Sequence, residues 1–369
     1  MSQSDPSPRS PGVPLPEDSG VSFVMPVLNE RAYLEHAVQS VLAQDVTGPT
    51  ELVLALGPST DGTTEVAERL AAAEPRLRIV HNPAADIPVG LNAAIRASVH
   101  PTVIRVDAHS ELSPGYARQG LATLNRTGAA NVGGVMRANG RTPFQAAVAR
   151  AYNSPFGLGG GSYHGGTKEG PAESAYLGVM RRAVLEEIGL FDESIRRGED
   201  WELNLRIRQA GYAVWFDPQL AVTYWPRESW IRLARQFRAT GAWRGELVRR
   251  YGRRNGVRFF APPALVLIVA LALIVGVLQL TGVLAGIGSV LASVVYLPLV
   301  AYALLVIAMA LVRGRSTDPP RSPRERVWTL AVLPTMHLSW GLGFLTGVLR
   351  GAHDTVDASR LGTRNTPLP

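Results

Sequence analysis

The sequence contains no cysteine among its 369 residues. Disulfide bonds, thiolate metal sites and cysteine nucleophiles are therefore excluded. Charged residues are also scarce, at 18%, while the hydrophobic fraction reaches 46%. No hydrophobic signal core follows the first methionine, so we expect the part of the chain before its long apolar runs to stay in the cytoplasm.

A single basic tail is absent as well, although the formal net charge is +7. The arginines lie before, between and after apolar runs that begin near residue 260, as expected beside anionic lipid. Basic residues spread in this way do not form a module that reads a nucleic-acid groove. We therefore expect a membrane-bound protein with membrane lipids as partners and no nucleic acid.

Two apolar runs, 259–281 and 287–312, are long enough to cross a bilayer. Arginines flank the pair on its outer sides, which predicts a hairpin with both ends in the cytoplasm of an inner or plasma membrane. A third run, 327–349, contains Pro334 and His337. It is either a third span or an interfacial or re-entrant helix.

The rest of the chain divides by composition. Residues 1–19 are rich in Ser, Pro and Asp, which predicts a disordered leader. We expect a catalytic domain over 20–250, a membrane domain over 251–350 and a flexible tail over 351–369.

Apolar strands alternate with short amphipathic helices over the first hundred residues. The predicted strands are Val21–Pro26, Glu51–Leu56, Arg78–His81 and one that ends at Asp107. This alternation is typical of an α/β fold with a mostly parallel, Rossmann-like sheet. Ligands of such sheets bind at the carboxyl ends of the strands.

Polar motifs follow three of these strands, at Pro26–Glu30, Ser59–Thr63 and Asp107–His109. Asp107 and His109 are two residues apart, so on a strand leaving the sheet they would project to one side. A carboxylate and an imidazole together suit Mn²⁺ or Mg²⁺, which neutralises charge on a leaving diphosphate. The alternative is an ordinary surface turn after the strand.

The ordered set of motifs resembles glycosyltransferase family 2 and its GT-A nucleotide-sugar fold. The set continues with Gly189–Glu193 and with Arg197–Asn204, which resembles the acidic catalytic motif of the family. The likeness is greatest to membrane-bound exopolysaccharide glycosyltransferases of the succinoglycan type, and it covers about residues 21–250. One such motif is weak evidence, whereas the ordered set is strong evidence.

The resemblance implies an inverting transfer with Asp200 as general base beside Glu199. It also implies a nucleotide-diphosphate sugar as donor, with a UDP-sugar favoured. The donor-binding candidates are Pro26, Asn29, Glu30, Asp61 and Asp107. Helix capping is the alternative role for Asn29, Glu30 and Asp61. Asp200 also has this alternative, because a carboxylate in the first turn of a helix is a common capping group.

Three positions depart from the family pattern. Leu56 and Gly57 stand where a carboxylate usually helps to read the base, so the base of the donor stays open. His109 replaces a second aspartate in the metal motif. The Gln-x-x-Arg-Trp motif of processive synthases is absent, which favours transfer of a single sugar.

Candidate contacts to the acceptor or to phosphate lie further along, at Arg235, Gln236, Arg238 and Trp243. Guanidinium groups pair well with phosphate, but a solvated basic helix at a membrane surface is the alternative. The glycine-rich stretch 157–170 lacks the ending of a P-loop and is either a flap over the site or a linker.

Together these features predict an enzyme of the membrane that moves one sugar onto a lipid-linked glycan in exopolysaccharide or cell-envelope synthesis. One rival is a polyprenyl-phosphate glycosyltransferase, which charges the lipid phosphate itself. The other is a non-catalytic membrane scaffold of a polysaccharide assembly complex.

Overall fold

The computed structural model describes residues 14–16, 18–158, 166–252, 255–312, 322–352 and 355. Most of the predicted leader and tail, and the middle of the glycine-rich stretch, lie outside the described residues. The chain forms two compact units. The sheet unit comprises the described residues up to Asn139 together with Asn153–Trp225, and the helical unit comprises those of Gly140–Tyr152 and Pro226–Ser359.

A nine-stranded mixed sheet organises the sheet unit. Its strands are β1 (Val21–Val27), β2 (Thr50–Leu56), β3 (Leu77–His81), β4 (Thr102–Arg105), β5 (Ser110–Leu112), β6 (Asn131–Ala138), β7 (Gly170–Pro171), β8 (Val179–Arg181) and β9 (Val214–Tyr224). Their order in space is β3-β2-β1-β4-β8-β6-β9-β5, with β7 on β9. The ladders from β3 through β2 and β1 to β4 are parallel, as is β6 on β9, while the shorter pairings are antiparallel. The prediction of a mostly parallel α/β sheet is confirmed.

Thirteen α-helices occur in the described residues. They are α1 (Leu34–Leu42), α2 (Thr63–Ala73), α3 (Ile87–Ala97), α4 (Tyr116–Thr127), α5 (Pro143–Tyr152), α6 (Pro155–Leu158), α7 (Arg182–Glu187), α8 (Glu199–Gln209), α9 (Trp230–Tyr251), α10 (Ala261–Leu280), α11 (Gly286–Ala292), α12 (Leu297–Leu311) and α13 (Pro323–Arg350). In the sheet unit, α1, α2 and α3 connect the successive parallel strands, as a doubly wound sheet requires.

The sheet is buried on both faces, which is why its strands are apolar at nearly every position. Phe23 and Met25 of β1 enter one apolar core. Val24, between them, enters the other core on the opposite face. α1 contributes Leu34 to the first core and α3 contributes Leu91 to the second, so helices cover both faces.

Two local predictions need correction. Pro26 does not close the first strand but lies inside β1, opposite Ala55 of β2. β4 pairs only with Val21–Val24, so at Pro26 the strand has a ladder on one side, where a residue without an N–H is tolerated. Asn29 does not cap α1, because that helix begins at Leu34 and its N-cap is Tyr33.

Close approach of two helices organises the helical unit. A Cβ at Gly343 of α13 would lie 2.0 Å from the carbonyl oxygen of Arg238 in α9, and one at Gly241 of α9 would lie 2.0 Å from that of Trp340. Because no side chain stands between them, the two backbones touch. The domain boundary predicted at residue 250 falls at the end of α9, and these domain limits stay a prediction.

Three helical segments are long and apolar enough to cross a membrane: Val257–Leu280, Gly286–Leu311 and Pro323–Arg350. The first two correspond to the two predicted spans. The third, α13, is one continuous helix through Pro334, so it is not broken there as a re-entrant segment would be. Its mean hydropathy is 1.3, against 2.7 and 2.5 for the other two.

Candidate active site

The loops that follow β1 and β2 are tied together at the carboxyl edge of the sheet. The amide of Asn29 donates to Ser59 Oγ at 3.0 Å, and Asn29 Oδ1 accepts from the amide of Thr60 at 2.8 Å. The amide of Glu30 donates to Thr63 Oγ1 at 2.8 Å. Asn29 has φ 54°, a left-handed conformation that asparagine tolerates better than most residues. This residue therefore shapes the junction of two loops.

Asp61 fixes the second of these loops with both of its carboxylate oxygens. Oδ1 accepts from the amide of Thr63 at 3.0 Å and from its hydroxyl at 2.5 Å. Oδ2 accepts from the amide of Arg31 at 3.2 Å. The carboxylate thus satisfies the amide of Thr63, the first residue of α2, although the N-cap of that helix is Gly62. A contact from Asp61 to a nucleoside stays a prediction.

Asp107 and His109 lie in a tight turn, not on a strand that leaves the sheet. β4 ends at Arg105, and the amide of Ser110 donates to the Asp107 carbonyl oxygen at 2.9 Å. The strand alternation that would place both side chains on one side does not apply here, so that reason for pairing them is wrong. The turn is nevertheless buried, since the side chains of Asp107 and His109 are 14% and 3% exposed.

The imidazole of His109 lies beside a buried carboxylate. His109 Nδ1 lies 3.1 Å from Glu30 Oε1, and both side chains are buried. The ring also packs edge-on against Tyr224 of β9, with centroids 5.2 Å apart. A metal-binding histidine commonly has such a carboxylate on its other ring nitrogen, because that contact fixes the orientation of the ring.

Arg105, the last residue of β4, brings three carboxylates together. Its Nη1 lies 2.9 Å from Glu199 Oε1 and also contacts Asp200 Oδ1. Its Nη2 and Nε lie 3.1 and 3.3 Å from Asp107 Oδ1. The acidic pair begins α8, where Gly198 at φ 79° turns the chain into the helix. The predicted base and the predicted metal ligand therefore meet on one guanidinium group.

The pKa of the acid Asp200 and the pKa of the base Arg105 are both shifted in this cluster. Burial raises the pKa of Asp200, and the charges of Glu199 and Asp107 raise it further while Arg105 opposes them, with a result of about 7. Burial disfavours the charged form of Arg105, but Asp200, Asp107 and Glu199 outweigh it and raise the pKa of this guanidinium. A carboxyl that titrates near neutral pH is suited to accept a proton.

Across the parts of the chain that the structure describes, no group of three or more His, Asp or Glu side chains is arranged to hold a metal ion. Magnesium-type sites in phosphate chemistry commonly use one or two carboxylates and fill the other positions with substrate oxygens and water. The pair Asp107 and His109 is compatible with a site of that kind.

The predicted acceptor-side residues all lie on α9 of the helical unit. Arg235 and Arg238 are exposed and line a groove of about 400 Å³. The other residues that line this groove are Trp230, Ile231, Ala234, Ser339 and Leu342. Gln236 Oε1 accepts from the Tyr152 hydroxyl at 3.4 Å. Trp243 is buried, and its Nε1 donates to the carbonyl oxygen of Thr355 at 3.1 Å, so its ring is part of the packing and not of the groove.

Sequence reasoning missed Arg105 and Tyr224. Tyr224 closes β9, more than one hundred residues from the His109 ring that it contacts. Arg105 carries one signal in the sequence: it is a charged residue inside the apolar run Val103–Val106, two positions before Asp107. A buried strand tolerates a charged side chain only where oppositely charged or hydrogen-bonding partners compensate it.

Comparison with known proteins shows similarity to glycosyltransferases. Residues 22–189 match the sequence profile of glycosyl transferase family 2. The chain is 29% identical over 327 residues to the succinoglycan biosynthesis protein ExoA of Rhizobium meliloti (strain 1021). The alignment covers 87% of this chain and 93% of that protein. A Methanococcus voltae protein is 24% identical over 241 residues, which span 62% of this chain and 74% of that protein. It is a dolichyl N-acetyl-alpha-D-glucosaminyl phosphate 3-beta-D-2,3-diacetamido-2,3-dideoxy-beta-D-glucuronosyltransferase.

The fold is also shared with a solved structure, the mannosyltransferase PcManGT from Pyrobaculum calidifontis in complex with GDP-Man and Mn²⁺. The TM-score is 0.56 at 18% identity, over 89% of this chain and 86% of that one. This likeness identifies the architecture as GT-A.

Proposed function

We propose, on the match of residues 22–189 to glycosyl transferase family 2, that the chain transfers one sugar from a nucleotide diphosphate to a lipid-linked glycan at a membrane. Asp200 is the general base, with Glu199 beside it. Asp107 and His109 hold a divalent cation, Mn²⁺ or Mg²⁺. The sheet unit lies on the cytoplasmic side of the inner or plasma membrane.

The contact set of Arg105 is the observation that carries this proposal. It gathers Asp107, which follows β4, and Asp200, which begins α8, although 93 positions separate them in the sequence (200 − 107). Buried carboxylates repel one another, so such a cluster is unfavourable for folding alone. Its location at the carboxyl edge of a parallel sheet is where ligands of this architecture bind.

The donor set suits the proposed cation. A carboxylate oxygen and an imidazole nitrogen are ligands that Mn²⁺ accepts. Because His109 Nδ1 faces Glu30, the cation would be held through Nε2. When bound, the ion neutralises charge on the leaving diphosphate. PcManGT is complexed with GDP-Man and Mn²⁺, which supports a nucleotide sugar and a divalent ion for this fold. Among donors, a UDP-sugar stays our first choice, with the base open.

Asp200 performs the proton transfer. Its carboxylate removes the proton of the acceptor hydroxyl, whose oxygen attacks the anomeric carbon as the bond to the diphosphate oxygen breaks. The proton remains on Asp200 Oδ until solvent takes it, and the nucleotide diphosphate leaves. Attack opposite the leaving group inverts the anomeric centre. With a pKa of about 7, Asp200 is close to the optimum for a general base in a neutral cytoplasm.

The acceptor is an amphiphile in this proposal. Exposed Trp230, Ile231 and Leu342 give the groove on α9 and α13 an apolar lining, and Arg235 and Arg238 add two positive charges. That combination fits a lipid that carries phosphate. Two relatives act, by their names, in succinoglycan synthesis and on a dolichyl phosphate glycan, which supports a lipid-linked acceptor.

The test is turnover of a panel of UDP-, GDP- and dTDP-sugars in detergent with lipid extract and Mn²⁺ or Mg²⁺. We expect one donor to be consumed with metal present, and we expect Asp200→Asn to lower turnover about 1,000-fold. Asp107→Ala should abolish the metal dependence. Asp45→Asn, which changes an exposed carboxylate paired with Arg118, is the control and should retain full activity. Consumption of no donor by the unmodified protein would leave the scaffold alternative in its place.

A further inference from the structure

Arg105 is unusual among the buried side chains of the sheet unit. It is a charged residue in an apolar strand, its side chain is 4% exposed, and its neighbours Ile104 and Val106 are fully buried. An ion removed from water in this way destabilises the fold unless partners compensate it. A shorter apolar residue would complete β4 without that penalty. The position therefore calls for an explanation other than strand packing.

The two ends of the guanidinium serve different parts of the site. Nη1 contacts the acidic pair at the start of α8, at 2.9 Å from Glu199 Oε1 and closer to Asp200 Oδ1. Nη2 and Nε face the other way and converge on Asp107 Oδ1 at 3.1 and 3.3 Å. A planar fork with donors on separate edges can hold two carboxylate groups at a fixed spacing.

A second buried arginine shows what a packing role looks like in this sheet. Arg181 ends β8, and its side chain donates to the carbonyl oxygens of Ala129 and Leu124 at 2.9 and 3.0 Å. These partners are backbone groups near β6, and neither belongs to the acidic cluster of Asp107, Glu199 and Asp200. Arg181 is thus a matched reference for losing a buried guanidinium.

We infer that Arg105 is a positioning residue, which fixes the distance and orientation of the base Asp200 relative to Asp107 at the donor. The inference rests on the proposed function, since it needs Asp200 as base and Asp107 as metal ligand. Arg105 contacts the carboxylates of Asp200, Glu199 and Asp107, and it acts on the reaction through them. It acts by holding two carboxylates that α8 and the β4 turn supply independently.

This role predicts a separation between catalysis and binding. Lysine in place of Arg105 keeps the positive charge but offers a single ammonium group, which cannot span both carboxylate sites. Asp200 then loses its fixed direction, and kcat falls. Asp107 stays in the turn after β4 and still lies beside a positive charge, so we expect Mn²⁺ to bind about as well as before.

The experiment compares the full chain with Arg105→Lys, Arg105→Gln and Arg181→Lys in detergent. Mn²⁺ alone is titrated by the EPR signal of the free ion, and kcat and KM are measured with the donor that the panel identifies. For Arg105→Lys we expect kcat to fall about 100-fold, with KM and the Mn²⁺ Kd within about threefold. Arg181→Lys should keep kcat, and its loss in melting temperature should match that of Arg105→Lys. Arg105→Gln, if it folds, should bind Mn²⁺ at least as tightly, because a positive charge has been removed.

A double variant adds a test that a packing role would not pass. If Arg105 acts through Asp200, adding Arg105→Lys to Asp200→Asn should lower the residual turnover by less than about threefold. A full 100-fold further loss would overturn the inference, as would full activity of Arg105→Lys. Parallel losses of kcat, Mn²⁺ affinity and melting temperature would assign Arg105 to packing. If the unmodified protein neither turns over a donor nor binds Mn²⁺, the proposed function fails, and the inference fails with it.

Discussion

The sheet unit and the helical unit balance their buried charges differently, since one guanidinium in the sheet unit faces three carboxylates. In the sheet unit, Arg105, Glu199 and His109 are charged or titratable side chains that are less than a tenth exposed. In the helical unit, the buried carboxylates of Glu246 and Glu325 each pair with an arginine of the same unit, and α9 and α13 touch backbone to backbone. Buried charge without enough partners is unfavourable for stability, whereas buried glycine lets two helices approach closely. Under the proposed function, the sheet unit holds the part of the molecule that reacts, and the close contact of α9 and α13 serves packing.

The largest effect that would break this comparison is expected at Gly343. A leucine there would drive its Cβ into the carbonyl oxygen of Arg238, which is backbone and cannot rotate away. We expect Gly343→Leu to destabilise the helical unit by about 3 kcal/mol, as overpacking of a tight contact does. Loss of thermal stability and faster proteolysis after residue 226, both in detergent, are the measurements. An unchanged melting temperature would show that α9 and α13 are not held backbone to backbone.

The pH dependence of the sheet unit sharpens the claim about buried charge. Asp200 must be ionised to act as a base, and its pKa is raised to about 7. We expect kcat/KM of the enzyme to fall about tenfold for each pH unit below 7. The sign for stability is opposite: with a folded pKa above the ordinary 3.8, ionised Asp200 disfavours the fold, so stability from this group is lost as pH rises from 3.8 to 7.

The measurement is the pH profile of kcat/KM. The control variant, Asp45→Asn, should keep the same midpoint as the unmodified protein. A rise centred near pH 4 would mean that Asp200 titrates as an ordinary carboxyl and that its burial does not matter for catalysis.

A smaller effect is expected at Glu30, whose carboxylate lies 3.1 Å from His109 Nδ1. Glu30→Gln keeps the size of the side chain but removes the charge that orients the imidazole. We expect Mn²⁺ affinity to weaken about tenfold, as for other partners of metal-binding histidines. Glu35→Gln, on the exposed surface beside Arg69, is the matched control. Equal Mn²⁺ binding by both variants would remove His109 from the metal site.

The smallest effect should come from Gly288, in the second apolar segment. No atom lies within 4 Å of a Cβ added there. Gly288→Ala should leave the melting temperature unchanged or raise it, by less than about 1 kcal/mol in unfolding free energy, because alanine favours a helix. A destabilisation as large as that of Gly343→Leu would show that glycine itself, and not close packing, determines stability in this unit.

Local pattern was enough to predict the first four strands of the sheet unit and the helices between them. The apolar runs at Val21, Glu51 and Arg78 became parallel strands, and the acidic pair at Glu199 fell at the start of a helix. These predictions succeed because burial on both faces makes strands apolar at every position, and glycine before an acidic turn begins helices. The errors at Pro26 and Asn29 are also local, since each depended on where an element ends.

What the sequence determined by itself is the set of candidate groups: Asp107, His109 and Asp200 stand in the order that the resemblance to the family implies, and the apolar runs are long enough to cross a membrane. What only the tertiary structure decided is which groups meet. Arg105 reaches Asp200 across 95 positions, Glu30 reaches His109 across 79 positions (109 − 30), and α13 touches α9 through glycines about 100 residues apart. Periodicity reports which side of an element is buried, but the partner on that side depends on strand order and helix crossing. No local pattern carries that information.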